Sequence, residues 1–476
     1  MIEVGRNSII VRNVDLTSQA YKNINYEYSL WDNVYRKYTF SAFTVIDSDL
    51  YFPSSVGVQQ IQKYFPNKDV IYNYKTTSKA SQVVYNMKYG PNTDLQKDSI
   101  NFLMRMKNDQ STRERMLSLP TGKGKTYVAI NVISKYKKKP LIVVDTLELA
   151  SQWQREFLKH TDIKPDDIVI LSGSDSIKKE KKEQNGKVYI AIHRTLSNML
   201  DEDFNSINLL MNKLKIGIRV FDEAHVNFKN VCMINALSNV EYTLYLTATP
   251  GRSNYTDDHL YGKVLRRIPY FSGKDNAQNI NRYHTVVLFK MDSKPSLDEQ
   301  IASKTKYGFN SGKWASNLEN ESYEIFLKAI LDIFEKFKLE ERKKKVAIIL
   351  PTISLIKKLK TDIEANIKLT TGLFIGEVKQ SDREEAKKQD ILLTNDKMFD
   401  KAIDIPDLEI LINFVPFGSP VKTEQIMGRL RYREGKSSIL IDVTDIGYES
   451  CVNQMKTRKR FYKKNAKKII EIDNYE

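Results

Sequence analysis

Gly122, Gly124, Lys125 and Thr126 stand together in SLPTGKGKT (118–126), and that combination could hold a polyphosphate. The glycines let the backbone wrap an anion closely, the lysine neutralises charge and the threonine hydroxyl can ligate Mg²⁺. The apolar spacing of the following YVAINVISKY predicts a helix. The glycines then lie at a helix N-terminus, where free N–H groups and the dipole favour phosphate. Leu119 occupies the place of the first glycine in the strict pattern G-x-x-x-x-G-K-[ST], so the loop needs support from elsewhere. VFDEAH (220–225) supplies it. A hydrophobic strand ends there in adjacent carboxylates, Asp222 suited to Mg²⁺ and Glu223 to orienting or deprotonating a water.

Such groups need a parallel sheet to hold them, because open α/β sheets present their ligands at strand ends. From about residue 96 the chain alternates short β-branched runs with helical stretches. Strands are predicted at 140–146, 187–193, 216–225 and 242–250, then at 345–351, 390–396, 408–416 and 437–445. The first ninety residues, rich in Tyr and Asn, lack this rhythm and read as a small separate α+β domain. The fold class is therefore α/β, with two tandem parallel-sheet lobes behind that domain. The expected divisions are 1–90, a first lobe at 91–268, a linker and insertion at 269–322, and a second lobe at 323–476 ending in a basic helix.

Bulk properties narrow the partners. Lys+Arg 75 against Asp+Glu 59 gives a net charge of +16, which favours a polyanion. Cys232 and Cys451 form no C-x-x-C, so neither structural zinc nor a disulfide framework is expected. Nowhere do eighteen apolar residues run together, and a cytoplasmic protein without a membrane partner is expected.

The ordered segments PTGKGKT, VFDEAH, LTATP, TNDKMFDKAIDIPDLE and QIMGRLRYR resemble motifs I, II, III, V and VI of superfamily 2 helicases and translocases. In that superfamily the glycine-Lys-Thr end of motif I suffices, which removes the objection raised by Leu119. The layout is similar to phage branch-migration helicases of the UvsW type and to XPB-type translocases. The resemblance implies two RecA-like lobes, ATP and Mg²⁺ as cofactors, and a monomer that uses ATP to unwind or branch-migrate forked, branched or duplex DNA. Phage replication, recombination or repair in the host cytoplasm is the implied setting. Alternatives are a duplex translocase displacing RNA or protein, an RNA helicase, or a nucleic-acid scaffold with a degenerate motor.

Residue by residue, the resemblance implies that Thr121, Gly122, Lys123, Gly124, Lys125 and Thr126 cradle the phosphates, with Thr126 and Asp222 on the metal and Glu223 on the water. Gln96 in DLQKDSINFL matches the glutamine that reads adenine. His225, Thr247 and Thr249 match the residues coupling hydrolysis to movement, and Asp404 the nucleotide sensor of motif V, although Ala402 replaces the usual glycine. In motif VI, Gln425, Gly428 and Arg429 are in place, Tyr432 stands where the last arginine belongs, and Arg431 or Arg433 is the displaced arginine finger. Nucleic-acid contacts are implied for Thr146, beside an Asp145 that replaces the usual proline, for Thr394, and for Arg383 in a segment that starts at Gly376. The closing run from Arg458 to Lys468 suits either a DNA strand or a solvated helix, and Trp314 is a candidate strand-separating wedge.

Overall fold

The computed structural model describes the whole chain except residues 33–35, 75–79, 109–112, 121, 248–254, 274–283, 306–307, 343, 401–404, 406, 431–437 and 475–476, and the side chains of 32, 108, 255–257 and 400. Two compact units emerge, Met1–Gln278 and Asn279–Glu476.

The first unit is built on a seven-stranded parallel sheet in the order Ile168–Leu171, Val188–Ile192, Pro140–Val144, Ile218–Phe221, Tyr242–Thr247, Glu114–Ser118, Tyr270–Ser272. Every residue of the strands Pro140–Val144, Ile218–Phe221 and Tyr242–Thr247 is buried, as expected where crossover helices cover both faces of a parallel sheet. An N-terminal five-stranded sheet belongs to the same unit. It is antiparallel except where Ile2–Val4 runs parallel to Val70–Tyr72. This sheet joins the main one through a polar seam: the Asn7 side-chain amide donates to Glu114 Oε1 (2.8 Å) and Thr243 Oγ1 (3.1 Å). Asn7 thus helps satisfy a carboxylate inside a strand that is otherwise too polar to sit in a core.

The second unit holds another seven-stranded, all-parallel sheet, ordered Thr371–Phe374, Ile391–Asn395, Lys345–Leu350, Leu408–Asn413, Ser438–Asp445, His284–Met291, Lys468–Asp473. Tandem parallel-sheet lobes and a small N-terminal sheet domain match the expected fold class.

Three expectations need correction. Residues 269–322 are not a linker with an insertion: Tyr270–Ser272 is an edge strand of the first sheet, and His284–Met291 lies between Ser438–Asp445 and Lys468–Asp473 in the second. Trp314 is 2% exposed on the helix Ser311–Asn320, and its indole N–H donates to Asp445 Oδ2 at 2.9 Å, so it is a core residue and no wedge. The helix Glu449–Asn465 does not close the chain, since the strand Lys468–Asp473 follows it. Within that helix Arg458 is 1% exposed and binds Asp442 through Nε (2.8 Å) and Nη2 (3.1 Å), which removes it from any DNA-facing row. No helix among the described residues is long and apolar enough to cross a membrane.

Candidate functional site

The strand Glu114–Ser118 delivers the chain to Leu119 and Pro120, and the helix Lys125–Tyr136 departs from Gly124. Gly122 (φ 79°) and Gly124 (φ 83°) both occupy the left-handed region that side chains avoid. A Cβ on Gly124 would lie 2.6 Å from Gln96 Nε2, so the glutamine is seated directly over the loop. Its Oε1 accepts from the backbone N–H of Asn92 at 2.9 Å, which fixes the amide's orientation. Gln96, Gly124, Lys125 and Thr126 are half-buried, and Gly122 and Lys123 exposed. Thr121 lies outside the described residues.

Lys125 Nζ donates to the Leu119 carbonyl and to Glu223 Oε1, both at 3.3 Å. Glu223, two residues past the strand Ile218–Phe221, has an unusual φ of 47°. Its other oxygen lies 3.4 Å from His225 Nδ1, and the same nitrogen is 2.9 Å from Thr247 Oγ1 at the end of the strand Tyr242–Thr247. One line of polar contacts therefore runs from the phosphate-loop lysine through both DEAH residues to motif III. Thr249 falls outside the described residues.

Asp222 accepts the Trp153 indole N–H at 2.8 Å. Desolvation, and then the neighbouring Glu223 carboxylate, hold Asp222 above the ordinary carboxylate range. A cation beside it would relieve both penalties. The donor set fits Mg²⁺ and a nucleotide triphosphate: hard hydroxyl and carboxylate oxygens from Thr126 and Asp222, a lysine, and a helix N-terminus entered through two positive-φ glycines.

The nucleic-acid candidates fare unevenly. Thr146 caps the helix Leu147–His160, its hydroxyl accepting from Leu149 N at 3.2 Å, and remains half-buried. Thr394 is wholly buried in the strand Ile391–Asn395 with its hydroxyl turned to the Asn395 carbonyl, so the structure does not present it to a phosphate. Arg383 is half-buried on the helix Gln380–Ala386, its guanidinium 5.9 Å from the Phe374 ring. Gln425, Gly428 and Arg429 share one half-buried face of the helix Pro420–Arg429 at i, i+3 and i+4, beside the buried Thr423, Ile426 and Met427. Asp404, Arg431 and Arg433 lie outside the described residues. Sequence reasoning missed Trp153 and Asn227; the former shows only as part of an apolar helix face, and the latter carries no motif signal.

A glycine- and lysine-bearing loop and paired carboxylates at strand ends of one parallel sheet, with a second such sheet later in the chain, are the arrangement expected of a tandem-lobe nucleotide-dependent enzyme. Comparisons with known proteins agree. The family described as "Type III restriction enzyme, res subunit" matches residues 89–252. The chain is 23% identical to "DNA 3'-5' translocase XPB2" of Sulfurisphaera tokodaii over 70% of its own length and 78% of that protein's. It is 31% identical to "Putative DNA 3'-5' helicase Rad25" of Haloarcula marismortui, over 30% of this chain and only 21% of the relative. Among solved structures, "S. cerevisiae Dbp5 bound to RNA and ADP BeF3" shares the fold with a TM-score of 0.57 at 13% identity, covering 80% of this chain and 90% of that one. The family match over residues 89–252 and the likeness to named helicases and translocases support an ATP-dependent enzyme of the superfamily 2 helicase type.

Proposed function

We propose that this motor acts on DNA, translocating along it and unwinding or branch-migrating forks and junctions. The observation that carries the reading is the polar line Lys125–Glu223–His225–Thr247, which joins the phosphate loop to the segment expected to drive movement. Gly122, Gly124, Lys125 and their neighbours Thr121 and Lys123 bind the phosphates, and Gln96 reads the base. Thr126 and Asp222 would hold Mg²⁺, which supplies charge neutralisation on the phosphates. Glu223, clasped between Lys125 and His225, orients the attacking water and takes its proton. Arg429 and Gln425, with Asp404 and one of Arg431 and Arg433, are assigned to hydrolysis on the resemblance of their segments to motifs V and VI. Likeness to proteins named as DNA translocase and DNA helicase supports DNA as the track. Moving a junction also asks little of each step, because duplex re-forms behind while melting alone costs about 1.4 kcal/mol per base-pair step.

The test is ATP hydrolysis by the full chain with no nucleic acid, single-stranded, duplex, forked and four-way DNA, and RNA, using Lys125→Ala as the blank, alongside strand displacement on forks. Strongest stimulation by branched DNA with displacement is expected. Stimulation by duplex without displacement would replace this reading by a translocase that strips RNA or protein. Preference for RNA would move the enzyme to RNA metabolism.

A further inference from the structure

The strands Pro140–Val144 and Ile218–Phe221 are hydrogen-bonded neighbours in parallel, and Asp222 N continues the ladder to Val143 O at 3.0 Å. The loops that leave them, 145–146 and 222–227, therefore start side by side. Two side-chain bonds hold the 222–227 loop at its opposite ends, one from the loop 145–146 and one from the helix Leu147–His160 that follows it. Asp145 Oδ1 accepts the Asn227 side-chain N–H at 2.8 Å, and Asp222 Oδ2 accepts the Trp153 indole N–H at 2.8 Å. The bonds bracket Glu223 and His225. Asp145 is also the residue that departs from the proline usual in the family, and a proline could make no such bond.

One bond starts in the body of a helix and the other from the residue just before its cap. Trp153 is 1% exposed on the helix Leu147–His160, alongside the buried Leu149, Ala150 and Phe157. The helix begins at its Thr146 cap, one residue from Asp145. From that cap to Trp153 is about 10 Å of helix. A ligand that shifts the helix N-terminus therefore moves the partners of both Asp222 and Asn227 together.

We propose that Asp145–Asn227 and Trp153–Asp222 form a two-point clamp through which nucleic acid gripped at the Thr146 end of the helix sets the position of the DEAH carboxylates. This rests on the motor reading above and deepens it: Asp145, Asn227 and Trp153 are positioning residues that touch neither nucleotide nor strand. Bonds of this kind couple sites reciprocally, so nucleotide must alter nucleic-acid affinity by the factor with which nucleic acid alters nucleotide affinity.

The experiment compares the full-length wild type with Asn227→Asp, which keeps the side-chain shape but sets two carboxylates against each other, and with the swap Asp145→Asn/Asn227→Asp, which restores the bond with the donor reversed. Basal ATPase, ATPase with forked DNA, and anisotropy of a labelled single-stranded DNA with and without a non-hydrolysable ATP analogue are read for each. Asn227→Asp is expected to keep basal hydrolysis and nucleotide-free DNA affinity, while stimulation and the analogue-induced affinity change both shrink about fivefold or more. The swap recovers both. Wild-type stimulation retained in Asn227→Asp would overturn the clamp and leave the motor reading standing, as would a loss that the swap fails to repair. A wild type that no nucleic acid stimulates would overturn both.

Discussion

Replacing Arg458 with alanine tests whether the basic helix Glu449–Asn465 faces a DNA strand or a core. Asp442 is fully buried and accepts four hydrogen bonds: from Arg458 Nε (2.8 Å) and Nη2 (3.1 Å), the Tyr462 hydroxyl (3.0 Å) and the Asn413 amide (3.1 Å). Alanine removes two of the four and the only cation among them, and it also strips the Phe417 carbonyl of its guanidinium partner. Breaking a buried pair from one side leaves an uncompensated charge and costs about 3–5 kcal/mol. For a unit of this size each kcal/mol moves the midpoint by about 2–4 °C, so the second unit should melt roughly 6–20 °C earlier. Calorimetry of the full chain, with the exposed Lys464→Ala as reference, is the assay. Lys464→Ala should change stability by less than about 0.5 kcal/mol. Arg458→Met combined with Asp442→Asn should regain most of the loss, because no naked carboxylate remains. An Arg458→Ala protein that melts like the wild type but binds DNA more weakly would refute the buried-pair reasoning.

Acid should destabilise each unit through one histidine. Burial lowers the pKa of His193 and of His284 to about 4, so both are neutral in the folded chain while the unfolded chain takes up their protons near pH 6.5. Stability is then complete above that value and is lost as pH falls from about 6.5 towards 4, by on the order of 3 kcal/mol per histidine. Neither ring nitrogen of His193 has a hydrogen-bond partner among the described residues, so His193→Phe should flatten the acid limb of urea unfolding for the first unit; an unchanged limb would count against this. Gly124→Ala should weaken nucleotide binding about tenfold, because the left-handed φ of 83° costs an alanine 1–2 kcal/mol and its methyl displaces Gln96. Titration with a fluorescent ADP analogue checks it, and wild-type affinity would show that neither the strain nor Gln96 matters to the loop.

All eight strands expected from β-branched runs are present, and the discrepancies gather at their C-terminal ends. The run 216–225 stops being a strand at Phe221 and 140–146 stops at Val144, where the chain leaves the ladder. Hydrophobic pattern reports burial, and burial continues past the point where the backbone turns. The strands that escaped notice fail for other reasons. Glu114–Ser118 carries a buried Glu and Arg, made tolerable by Asn7 and Tyr245 more than a hundred positions away. His284–Met291 sits between stretches of polar sequence, and its parallel partners begin at Ser438 and Lys468, a pairing that local periodicity cannot announce.

The same physics explains why the candidate nucleotide site could be located in the sequence and the ties around it could not. Phosphate and magnesium chemistry restricts Gly122, Gly124, Lys125, Asp222 and Glu223 to a few residue types at set spacings. A tie between two loops accepts many donor and acceptor pairs, so the partner of Asp145 is visible only in three dimensions. Arg458 shows the limit from the other side: as one cation in a basic run it reads as surface charge, and only the Asp442 carboxylate beneath it reverses that meaning. In a motor of this kind the chemistry should therefore be shared widely among relatives while the ties that transmit it vary, which places what is particular to this chain in pairs such as Asp145 and Asn227.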